Sequence, residues 1–227
     1  MPKKKKSSYT SQYYTGNNLS LAEMIGEMMT WNHSEKIKFG NQLETYILND
    51  IKDNSKIYTE KSLKLVSKKS KNKKTFTFDE FKDFSSDKFP LVINSFKKNK
   101  KLYLDNGLSC NNKTGNEIDF AIVTKNIDET LDIKIIEVKS GCDFDTKKSK
   151  GEIQTLMTTT QLFIEHGFTS SSYIMSWDAL EVCDIKIKTE LKDVKLILYN
   201  KMMEFIDMNG EKSKTRILNK NKKIANN

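Results

Sequence analysis

Histidine is almost missing from this chain: His33 and His166 are the only two in 227 residues. That scarcity argues against metal centres built on imidazole and against histidine-driven nucleases. Cysteine is scarce as well. Cys110, Cys142 and Cys183 are widely spaced, odd in number and form no C-x-x-C pair. A disulfide framework, a zinc ribbon and a four-cysteine iron–sulfur site are therefore not expected, and a reducing cytosol is. Arginine occurs once, at Arg216. No apolar run approaches membrane-spanning length, and no hydrophobic stretch follows the first lysines, so neither a transmembrane helix nor a secretory signal is expected. The expectation is a soluble, cytoplasmic protein.

Lysine is what the chain has in quantity. Charged residues make up 30% of it and the formal net charge is +9. A polyanionic partner follows from that balance, although an AT-rich coding sequence also enriches lysine and asparagine. The length suits one domain with a full core. With no internal repeat and no long linker, the expected organisation is a mobile basic arm at 1–18, a single domain at 19–211 and a basic tail at 212–227.

Within that domain, Ser20 to Glu23 matches a capping box, and Leu21, Met24, Ile25, Met28 and Met29 follow at helical spacing. A second helix is expected over Glu35–Ile51. On its wheel, taking Leu43 as zero, Ile47 falls at about 40°, Ile51 at about 80° and Glu44 at about 100°, inside the apolar stripe. A core-facing carboxylate needs a partner, either a lysine or a bound cation with its water. From Lys56 to Lys101 there are 14 lysines against five acids, interleaved with phenylalanines. Short strands are expected at Thr75–Phe78 and from Leu91 to Phe96. The run Lys68, Lys69, Lys71, Lys73 and Lys74 reads as an exposed loop able to neutralise phosphates.

The remaining chain alternates short strands with turns. A strand ends in Asn106-Gly107, and another covers Glu117–Val123 with Asp119 near its start. The stretch Leu131–Lys139 then reads as a strand in which Ile133, Ile135, Glu137 and Lys139 share one face. That face begins apolar and ends in a carboxylate and an ammonium, just before Ser140-Gly141 turns the chain away. After a charged loop carrying Lys147 and Lys148 comes a helix over about 151–166. Its apolar stripe is Ile153, Leu156, Met157, Thr160 and Ile164, its polar stripe is Gln154, Thr158 and Gln161, and Gly167 is its C-cap. Strands are expected at Ser172–Trp177, Asp184–Lys188 and Val194–Tyr199, with helix from Lys201.

Acid-x-lysine also occurs at Asp50, Glu80, Asp132, Asp145, Asp184, Glu190 and Asp193. Only the copy at Glu137 has apolar residues before it, a turn after it, a strand aspartate eighteen residues upstream and a helix downstream. The bland readings stay open: Asp119 as a strand-start aspartate, Glu137 and Lys139 as a surface ladder pair.

Asp119, Glu137-Val138-Lys139 and the upstream Glu44 resemble the PD-(D/E)XK nuclease superfamily, and most of all its type II restriction endonucleases. The resemblance covers the chain from about Phe39 to Gly167, in the order helix, strand, strand, helix, strand. It departs at Ile118, where the family's motif has proline. It implies an α/β fold with a restriction-endonuclease-like core, a central mixed β-sheet flanked by helices and a basic groove. It also implies Mg²⁺-dependent hydrolysis of double-stranded DNA within a palindromic site by a homodimer. Asp119 and Glu137, with the Val138 carbonyl, would supply hard oxygen ligands. Lys139 would orient water or stabilise developing charge, and Glu44 would hold water or a second ion. Lys68, Lys69, Lys71, Lys73, Lys74, Lys147, Lys148 and Gln154 are the candidate DNA contacts. The rivals are a structure-specific repair or junction-resolving nuclease on the same scaffold, and a basic DNA-binding protein that cuts nothing.

Overall fold

The computed structural model describes residues 33–54, 56–59, 90–94, 118–144, 149–165, 167–188, 190–191 and 193–225. The expected arm at 1–18, the capped helix after Ser20, the loop of Lys68 to Lys74, the strand at Thr75–Phe78 and the strand ending at Gly107 all lie outside the described residues.

The elements run α1 (His33–Ile51), β1 (Tyr58–Thr59), β2 (Leu91–Asn94), β3 (Phe120–Lys125), β4 (Leu131–Lys139), α2 (Ser149–Glu165), β5 (Thr169–Ser176), β6 (Val194–Leu198), α3 (Tyr199–Glu204) and α4 (Gly210–Ala225). Among the described residues six strands form one mixed sheet in sequence order. β2, β3 and β4 are antiparallel neighbours, whereas β4, β5 and β6 run parallel, as does the two-residue β1 beside β2. The fold class is α/β. Among the described residues no helix is long and apolar enough to cross a membrane.

Strand alternation divides the core in two. Ile133 and Ile135 of β4 join Ala121, Val123 and Ile174 under α2, which contributes Ile153, Leu156 and Phe163. Ile136 points the other way, with Phe120, Ile122 and Met175, under Phe39, Leu43, Ile47 and Ile51 of α1. Met202, Met203, Ile217 and Leu218 of α3 and α4 complete that layer. Trp177 is its largest buried side chain, its ring 4.6 Å from Tyr199 and 5.8 Å from Phe39. Truncating such a residue costs about 3–5 kcal/mol.

The hairpin between β3 and β4 closes through local bonds. Asn126 N–H donates to Thr130 O at 2.8 Å, and the Asp128 carboxylate accepts from the Thr130 amide and hydroxyl. Glu129 takes the left-handed conformation there, at φ 68°. α2 ends as its sequence suggests, with Gly167 at φ 83°, a conformation that costs glycine nothing.

Several sequence expectations are corrected. Ile164 of α2 is exposed and Phe163 fills its place in the core, because the helix sits a fraction of a turn away from the stripe inferred. Asp184–Lys188 is not a strand: Val182–Asp184 is a short 3-10 turn and Lys186 makes one isolated bridge to Asp143. The segment from Lys212 is no tail up to Ala225. It is α4, held by the burial of Ile217 and Leu218 and by Ser213 donating to the Asp50 carboxylate.

Candidate active site

Three stretches of chain meet at the carboxyl end of β4. The pairing of β3 with β4 ends at Phe120 and Ile136, so Asp119 and Glu137 are the residues just beyond it on the two strands. Glu137 lies on the α2 side with Ile133 and Ile135, and the charge of Asp119 reaches it there. Asp119 is only 2% exposed. Its Oδ2 accepts a 2.7 Å hydrogen bond from the Val138 amide. A strand residue directs its N–H and C=O to the same neighbour, so the Val138 carbonyl also points to the β3 side, toward Asp119. Lys139, one residue on, is bound from the opposite side: its carbonyl accepts the Trp177 N–H at 2.8 Å.

Glu137 and Lys139 lie beside one another as the period of two requires. Lys139 Nζ is 2.8 Å from Glu137 Oε1 and 3.0 Å from Glu152 Oε1, and 5.2 Å from the centre of the Phe144 ring. Burial pushes the Glu137 carboxyl up to about 7, and the negative charge of Asp119 adds to that push against the opposing pull of Lys139. Burial works to lower the Lys139 pKa, but its two carboxylate partners prevail and hold it above the ordinary value. Asp119 and Glu137 thus repel one another across the strands, while the Lys139 ammonium is held by Glu137 and Glu152.

The remaining expected residues are placed as follows. Glu44 is partly buried on α1, which covers the opposite face of the sheet. The two sides approach at the end of β4, where a Cβ on Gly40 would stand 3.0 Å from Ser140 Oγ; Glu44 is one helical turn from Gly40 on the same side of α1. Among the described residues no three His, Cys, Asp or Glu side chains form a ready metal cluster, so Glu44 is not gathered with Asp119 and Glu137. Gln154 is exposed on α2 and donates to Thr158 Oγ1 at 3.4 Å. Lys68, Lys69, Lys71, Lys73, Lys74, Lys147 and Lys148 lie outside the described residues.

Asp119 and Glu137 with the Val138 carbonyl offer hard oxygen donors, and the mutual repulsion of the two carboxylates is one that a divalent cation would relieve. That set fits Mg²⁺, which takes few protein ligands and keeps several waters. Two residues of the region were not singled out from sequence. Glu152 reaches Lys139 from the first turn of α2; its only sequence signal is an acid opening the helix after acid-x-lysine. Lys214 is 5% exposed on α4, donates to the Trp177 carbonyl and lies 4.8 Å from the Trp177 ring centre. Burial lowers its pKa to about 8 and raises that of nearby Asp178 to about 6, each shift opposed by the other's charge.

Comparison of the chain with family models, with curated proteins and with solved structures returned no match.

Proposed function

We propose that this chain is a Mg²⁺-dependent endonuclease of double-stranded DNA, of the type II restriction kind, cutting within a specific palindromic site as a homodimer. The observation that carries this reading is the meeting of Asp119 and Glu137 at the end of β4, with the Val138 amide bonded to Asp119 and the Lys139 ammonium on Glu137. A phosphodiester needs three things to be hydrolysed: a positioned water, a partner for its proton, and positive charge against the pentavalent transition state. Asp119, Glu137 and Val138 would hold Mg²⁺, which supplies positive charge against the scissile phosphate when bound. Lys139 Nζ would hold the attacking water in line and donate to the phosphate oxygen as negative charge builds. The order of helix, antiparallel strands, helix and parallel strand through α1, β2–β4, α2 and β5 supports a restriction-endonuclease-like core. The +9 charge supports a polyanionic substrate.

A second reading is a basic DNA-binding protein in which Glu137, Lys139 and Glu152 are only a structural ion cluster. The double pairing of Lys139 favours it. Digestion of a long plasmid with Mg²⁺, beside Lys139→Ala and a chelator control, separates the readings. Discrete bands lost in both controls are expected. A smear lost in both keeps the catalytic residues and replaces site-specific cutting with a structure-specific or non-specific nuclease. Intact DNA with a strong mobility shift overturns the enzyme in favour of the binding protein.

A further inference from the structure

Glu152 stands on a different element from the residues it serves. Ser149, Ile153 and Leu156, all at most 4% exposed, seat the first turns of α2 on the sheet, and this fixes the Glu152 backbone beside the end of β4. Its Oε1 is 3.0 Å from Lys139 Nζ. Glu152 lies in the first turn of this helix, where the helix N-terminus favours a carboxylate. Among the carboxylates that act on Glu137, Asp119 is the stronger and Glu152 the weaker. Glu152 therefore belongs to Lys139 rather than to the Asp119 and Glu137 pair.

That assignment matters because Lys139 now divides itself between Glu137 and Glu152. With Glu137 engaged by a divalent cation, its carboxylate would hold the ammonium less firmly, and Glu152 would be left to hold it. We propose that Glu152 is a positioning residue that keeps the Lys139 ammonium aimed at the reacting phosphate while Glu137 is engaged with a divalent cation. The inference rests on the nuclease reading above. It adds to that reading a helix-borne carboxylate that acts only through Lys139. An outer carboxylate of this type changes activity by about 10- to 100-fold when removed.

The test combines Glu152→Gln, Lys139→Met and the double variant in the full chain. Single-turnover cleavage with Mg²⁺ is measured beside Mn²⁺ affinity by EPR titration and the NMR order parameter of the Lys139 Cε group in the Mg²⁺-loaded protein. Glu152→Gln is expected to slow cleavage by about 10- to 100-fold, to leave Mn²⁺ affinity and KM for DNA within about twofold, and to release Lys139 from its fixed position. In the Lys139→Met background it should cost nothing further, because residues acting as one unit are not additive. A fall of about tenfold or more in Mn²⁺ affinity would make Glu152 a ligand and overturn the proposal. So would losses that multiply in the double variant, or an unchanged Lys139 order parameter. If the parent chain binds cation but cuts no DNA, the nuclease reading fails separately, and the order parameter still decides what Glu152 holds.

Discussion

The Val138 amide donates to Asp119 Oδ2 at 2.7 Å, which ties the aspartate before β3 to the strand that carries Glu137 and Lys139. Through this bond the backbone of β4 sets the position of a carboxylate nineteen residues away in sequence. The carboxylate has a structural duty in addition to any chemical one, and its substitutions should split the two.

Asp119→Asn keeps an oxygen able to accept from Val138 but removes the charge. Its melting temperature should stay within a few degrees of the parent, while Mn²⁺ affinity falls at least tenfold and cleavage disappears. Asp119→Ala also strands a buried amide, a loss of about 1–3 kcal/mol. Calorimetric melting and EPR titration of both variants check the distinction. A stable Asp119→Asn that still binds cation and cuts would remove Asp119 from the site.

Glu137 should make the metal-free protein sensitive to pH. Its carboxyl titrates near 7 in the fold, against an ordinary 4.5, so the folded chain holds this proton more tightly than the unfolded one. The contribution is fully favourable below about pH 4.5, is lost as pH rises to about 7, and stays lost above it. Glu137→Gln removes the dependence and should gain about 2 kcal/mol over the parent at pH 8 relative to pH 5. Urea titrations at the two pH values measure it. Cation affinity should run the opposite way, rising up to about tenfold per pH unit below 7, because binding displaces the proton.

Two glycines should answer differently to alanine. At Gly210 a Cβ would lie 2.5 Å from Asn200 Oδ1 and 2.7 Å from the Asn200 Cα. The backbone cannot yield, and Gly210→Ala should destabilise by about 1–3 kcal/mol. At Gly40 the obstacle is the Ser140 hydroxyl at 3.0 Å, which can rotate. Gly40→Ala should be close to neutral, since alanine also favours helix by up to about 1 kcal/mol. Gly40→Leu should instead force α1 off the end of β4 and reduce cleavage more than stability. Equilibrium unfolding beside initial rates tests all three.

Asp178 and Lys214 should be coupled through their opposite charges, each of which opposes the shift that burial imposes on the other. Removing either charge leaves the other less compensated, so the double variant of Lys214→Met and Asp178→Asn should cost less than the sum of the single variants by about 0.5–3 kcal/mol. The lowered Lys214 pKa means that the folded chain releases this proton more readily than the unfolded one. Its contribution therefore improves as pH climbs from about 8 toward the ordinary 10.5 and worsens as pH falls through 8. Denaturant titration of the four-member cycle at pH 7 and pH 9.5 measures both effects.

What the sequence determined by itself is local and periodic. The bounds of β4, the shared face of Ile133, Ile135, Glu137 and Lys139, and the apolar stripe of Leu43, Ile47 and Ile51 follow from repeats of 2 and 3.6 within consecutive residues. The stripe of α2 was legible only in part, because Phe163 and Ile164 are both apolar and helix rotation alone chooses between them. Lys214 was not legible at all: a lysine in a lysine-rich segment reads as solvated until α4 is packed on Trp177. Tertiary structure decided every contact that spans a loop, among them Asp119 with Val138, Lys139 with Glu152, and Trp177 with Lys214, separated by 19, 13 and 37 residues. Such contacts depend on sheet register and on how each helix is seated, and these are set by burial summed over the whole core rather than by any residue's neighbours in the chain.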